Sequence, residues 1–92
     1  LQVKTLFEAG TVVFSKAGHD KCGAFIIVAV EGEYAYLVDG KCRKLDKPKK
    51  KKNIHIQTSN IVDAYIKEKL ESGGYLTDAD FRKALKKYEG GN

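Results

Sequence analysis

The chain has little of what most functional classes require. Two cysteines in 92 residues are too few for a disulfide framework, and no Cys-x-x-Cys pair is present. No apolar run approaches the roughly 18 residues that a membrane-spanning helix needs. The start, Leu1-Gln2-Val3-Lys4, lacks the apolar stretch of a secretory signal, so the expected compartment is the cytosol. There is neither a Gly-x-x-x-x-Gly-Lys phosphate loop nor a Gly-x-Gly-x-x-Gly turn. Asp20 beside His19 is the only local acid–base pair, and a turn accounts for both. Neither enzyme activity nor a cofactor is expected.

What the chain does have is charge in one place. Residues 1–40 carry three lysines against five acids, a net −2, and residues 59–92 carry six basic and six acidic side chains. Residues 53–58 carry none. Residues 41–52 hold Lys41, Arg43, Lys44, Lys47, Lys49, Lys50, Lys51 and Lys52 against Asp46 alone, a local +7 in a chain of net +5. So concentrated a charge reads as a site for a polyanion, because a merely solubilising surface mixes signs. Lysine is a compact charge on a flexible stem, suited to phosphates and poor at reading bases. No amphipathic helix or lipidation motif accompanies the lysines to suggest a membrane surface.

Short strands are expected first. Thr11–Ser15 is β-branched, Ala24–Val30 is an apolar run of strand length, and Tyr34–Val38 resumes the pattern after a turn at Gly32. Asp39-Gly40 reads as a type I′ hairpin that returns Lys41–Leu45 along Tyr34–Val38, with Lys41 and Arg43 on one face and Lys44 on the other. Pro48, the single proline, then ends pairing and places Lys49–Lys52 in a loop. Ile54–Gln57 alternates and supplies a fifth strand. Tyr34 and Tyr36 share a strand face; core packing is their expected role, with stacking on bases as the alternative.

Two helices should follow. The first is expected over Asn60–Ser72, capped by Ser59 or Asn60, with Ile61, Val62, Tyr65, Ile66 and Leu70 at helical spacing and Gly73-Gly74 as its stop. In the second, Thr77 is the cap, Leu76 and Phe81 form a hydrophobic staple, and Phe81, Ala84, Leu85 and Tyr88 line one face before Gly90-Gly91. The division expected is a barrel over residues 1–58 and a helical extension over 59–92.

The stretch Val12-Val13-Phe14-Ser15-Lys16-Ala17-Gly18-His19-Asp20-Lys21, a turn and an apolar strand resembles the KOW motif. Tyr36 to Lys41, then Lys47-Pro48 with the four lysines and His55, makes the likeness more particular. Together these resemble bacterial KOW-domain RNA-binding proteins, similar to an archaeal and eukaryotic ribosomal large-subunit family, over roughly residues 9–58. The resemblance implies a five-stranded SH3-like (KOW) barrel, mainly β, followed by a C-terminal helical hairpin, α+β overall. It further implies RNA as partner, ribosomal RNA foremost, and Lys16, Gly18, His19 and Lys21 as a loop approaching the RNA backbone. Such motifs place glycine after Asp-Lys, whereas Cys22 precedes Gly23 here. Either the turn is shifted by one residue, or close backbone approach is impaired.

His19, Cys22, Cys42 and His55 could in principle make a zinc set. With Cys42 and His55 flanking the lysine run, the favoured reading is no metal and two inert thiols. The alternative to RNA binding is an SH3-like module that binds a protein partner, and the helical tail is a candidate for self-association.

Overall fold

The structure, a computed structural model, describes residues 8–15 and 23–88, without the side chains of Ser15 and Lys87. Its elements are β1 (Thr11–Ser15), β2 (Ala24–Glu31), β3 (Tyr34–Val38), β4 (Lys49–Lys52), a 3-10 turn (Asn53–His55), β5 (Ile56–Val62), α1 (Ala64–Ser72), α2 (Asp78–Leu85) and a closing 3-10 turn (Lys86–Tyr88). The strands form one antiparallel sheet in the order β4-β3-β2-β1-β5, open between β4 and β5. The fold is therefore a five-stranded sheet with two helices. No helix among the described residues is long and apolar enough to cross a membrane.

Alternation along the strands builds two apolar clusters. Val13, Phe25, Ile27, Ala35, Leu37 and Ile56 pack together on one face. Val12, Ala24, Ile26 and Val38 point to the other and meet Ile66 of α1 and Phe81 and Leu85 of α2. Leu45, Leu70, Leu76 and Tyr88 close the margins of this second cluster. The helices thus share a core with the sheet.

Gly32 makes the β2–β3 turn at φ 60°, and Gly73 ends α1 at φ 74°, as expected of both. Thr77 caps α2 in a full capping box with Asp80, with the staple residue Phe81 fully buried. Gly90-Gly91 lies outside the described residues.

Three expectations are corrected. The first helix begins at Ala64, and its cap is Asp63, whose Oδ1 accepts from the Ile66 N–H at 3.0 Å. The fifth strand, expected over Ile54–Gln57, instead follows a 3-10 turn at Asn53–His55 and runs Ile56–Val62, taking in residues 59–62. The Ser59 hydroxyl donates to the Val12 carbonyl at 2.6 Å and accepts from the Ile61 N–H, at the point where the β1–β5 register shifts. Long-range pairing with β1 thus claims a segment whose apolar spacing also fits a helix.

The second correction is that Lys41–Leu45 is not a strand. Asp39 turns its carboxylate onto the following backbone, Oδ1 accepting from the N–H groups of Lys41 (3.0 Å) and Arg43 (2.8 Å). The N–H groups of Asp39 and Gly40 both donate to the Arg43 carbonyl, so the chain curls where a hairpin was expected. Gly40 has φ 83°, but no non-glycine residue has positive φ among the described residues, so a type I′ pair is not formed.

The third concerns Lys49–Lys52, which is strand β4 and not a loop. It pairs with β3 as Leu37↔Lys49, Tyr36↔Lys50, Ala35↔Lys51 and Tyr34↔Lys52. Lysines suit this place, because repelling charge on an edge strand prevents another chain from pairing there.

Candidate nucleic-acid interface

The register sorts the four lysines. Residues opposite each other share a face, so Lys50 and Lys52 stand with Tyr36 and Tyr34, while Lys49 and Lys51 stand with Leu37 and Ala35. Across β3, Ala29 and Glu31 of β2 lie opposite Tyr36 and Tyr34. The result is a patch at the end of the sheet face that the helices leave uncovered: Tyr34 and Tyr36 in the middle, lysines on one side, Ala29 and Glu31 on the other.

Contacts within the patch hold it in shape. The Lys50 ammonium lies over the Tyr34 ring, 4.7 Å from its centre. The Tyr36 hydroxyl donates to Glu31 Oε1 at 2.7 Å. Lys52 lies 3.6 Å from Glu33, with 42% and 76% of the two side chains exposed, so this ion pair contributes little stability. Tyr34 is 38% exposed and Tyr36 half-buried. The expectation of core packing therefore fails for Tyr34, since the core is filled from the face of Ala35 and Leu37 and the end marked by Val38.

The hydrogen bond to Glu31 above all, then desolvation and the carboxylate's charge, hold the Tyr36 phenol above its ordinary value of 10.0, with Lys50 opposing. A raised folded value means the native state keeps the proton more tightly. This contribution is whole below the unfolded pKa and is lost as pH rises through the higher folded value. Glu31→Ala is therefore expected to bring one tyrosine's alkaline titration down toward the ordinary value, read from phenolate absorbance. An unchanged titration curve would disprove the pairing.

Lys41, Arg43, Lys44 and Lys47 lie exposed on the loop between β3 and β4. This loop is anchored at both ends. Asp39, 3% exposed, organises its start, with Oδ2 buried and without a hydrogen-bond partner among the described residues. Farther along, the Leu45 N–H donates to Asp78 Oδ1 at 2.7 Å, and Arg82 Nη1 donates to the Gly40 carbonyl at 2.8 Å. The first turns of α2 therefore clamp the basic loop. Asp78 and Arg82 were not foreseen as shaping the site. Contacts spanning 33 and 42 residues leave no local pattern to read.

Of the expected site residues, Lys16, Gly18, His19 and Lys21 lie outside the described residues, as does Cys22. Gly23 is exposed, and a Cβ there would meet nothing within 4 Å. Cys42 is disulfide-bonded, so it is neither the inert thiol expected nor a zinc thiolate. Such bonds persist in oxidising compartments, in tension with the cytosolic expectation. Among the described residues no cluster of three or more His, Cys, Asp or Glu side chains could hold a metal ion. Neither a protein-family model nor a curated protein matches this chain.

Proposed function

We propose that this protein binds RNA without catalysing a reaction, through an SH3-like KOW barrel whose basic strand and loop contact phosphates. The observation that carries the reading is the run of basic residues from Lys41 to Lys52, laid along one sheet edge and the loop beside it. Such a surface neutralises a polyanion's backbone and selects by charge and shape rather than sequence. The barrel assignment is supported by strand order: a β1–β4 meander, with β5 returning to β1 after a 3-10 turn. The proposed partner is structured RNA, ribosomal RNA foremost.

Affinity should depend steeply on salt. With about five phosphates engaged on single-stranded RNA, log K is expected to fall with log salt at a slope near −3.5. Lys50→Gln with Lys52→Gln, and separately Lys41→Gln, Arg43→Gln and Lys44→Gln, should each make the slope shallower, by about 0.7 for every phosphate contact removed. No binding at low salt, or slopes unaltered in both variants, would refute the proposal. Partners captured from lysate that survive ribonuclease would favour the protein-interaction reading instead.

A further inference from the structure

Resting on the RNA reading above, we propose that the uncovered end of the β2–β4 face that carries Tyr34 binds unpaired nucleotides, a base stacking on Tyr34 and the flanking phosphates meeting Lys50 and Lys52. A surface made only of lysines would take duplex and single strand alike, because phosphates are common to both. Here the pairing register sets two tyrosines directly between the lysines and the neighbouring strand. Tyr34 is 38% exposed, and one face of its ring is open enough for the Lys50 ammonium to rest 4.7 Å from its centre.

That ammonium marks where a ligand would sit. A base arriving over the ring takes the place of the cation, and the lysine's flexible stem lets the charge move to the adjoining phosphate. Lys52 likewise exchanges its exposed contact with Glu33 for a phosphate oxygen. Tyr36 does not need to move: its hydroxyl is tied to Glu31, so it forms a fixed floor beside Tyr34. Ala29, opposite Tyr36, is small and exposed and leaves the approach open. Glu31 and Glu33 edge the patch and repel the phosphate backbone, keeping it on the β4 side. In a duplex the base faces are covered by their neighbours in the stack, so only unpaired nucleotides can use the tyrosine.

The test compares the native chain with Tyr34→Leu and Tyr34→Phe, using one labelled RNA strand alone and in duplex, by fluorescence anisotropy at one salt concentration. Leucine keeps apolar bulk but has no ring, whereas phenylalanine keeps the ring. Tyr34→Leu is expected to weaken single-strand binding about 5- to 150-fold and leave duplex binding unchanged, with Tyr34→Phe close to native. The chain has five tyrosines and no tryptophan, so its intrinsic emission reports tyrosine alone. Single-stranded RNA should quench that emission in the native chain and less so in Tyr34→Leu. Native single-strand affinity in Tyr34→Leu, or an equal loss for both RNAs, would overturn the stacking proposal while leaving the phosphate-binding reading in place. Failure of the native chain to bind either RNA would overturn both.

Discussion

Replacing Gly40 by alanine is expected to destabilise the protein by about 2–5 kcal/mol, the largest effect of any single methyl group in the site. Two costs combine. At φ 83° an alanine is strained by about 1–2 kcal/mol. Its Cβ would also stand 2.3 Å from the Asp78 carbonyl oxygen and 2.9 Å from Arg82 Cγ, an overpacking that costs typically 1–3 kcal/mol. The obstacle is backbone at the start of α2, which cannot swing aside as a side chain could. Gly32→Ala serves as the control, because Gly32 has φ 60° but no atom within 4 Å of its Cβ position. Urea unfolding of both variants separates strain from clash. Equal losses would mean that the basic loop does not rest on α2.

The Gly40 variant should also alter RNA binding. Backing away from Asp78 strains the Leu45 and Arg82 hydrogen bonds that fix the loop carrying Lys41, Arg43 and Lys44. The expected result is weaker binding at temperatures where the variant remains folded. Affinity equal to native would show that the loop's charges act without a fixed conformation.

Phe81→Ala is expected to cost about 3–5 kcal/mol, as removal of a buried phenyl ring does elsewhere. Phe81 is fully buried in α2 among Val12, Ile26 and Val38 of the sheet and Ile66 of α1. A domain of this length has a total stability of only about 5–14 kcal/mol, so the variant should unfold at much lower denaturant. The β-sheet and helical signals should fall together, since both elements depend on the same cluster. If the helices were only tethered to a self-sufficient barrel, the sheet would melt at its native midpoint. Tyr75→Ala, at a residue 81% exposed, should change stability by less than about 0.5 kcal/mol.

Much of the sheet was legible from local pattern. Thr11–Ser15 and Tyr34–Val38 are strands with the expected limits, and Ala24–Val30 extends by one residue to Glu31. The α2 cap was equally plain, because Thr77, Asp80, Leu76 and Phe81 act within a few residues of one another. Errors gathered where a distant partner decided the outcome. Ser59–Val62 has helical spacing, yet β1 recruits it as strand. Asp39-Gly40 has hairpin residues, yet the Asp39 carboxylate and the approach of α2 turn the chain into an anchored loop.

By itself, the sequence determined how much charge this protein concentrates, where along the chain it lies, and which short segments have strand or helix character. Composition and nearest-neighbour chemistry decide these, and they do not depend on what folds against them. Only the tertiary structure decided that four consecutive lysines form an edge strand, that two of them face Tyr34 and Tyr36, and that α2 holds the adjoining basic loop. The physical reason is register. Shifting a strand by one residue exchanges its two faces, and that choice is made by the packing of Ala35 and Leu37 into the core rather than by the lysines themselves.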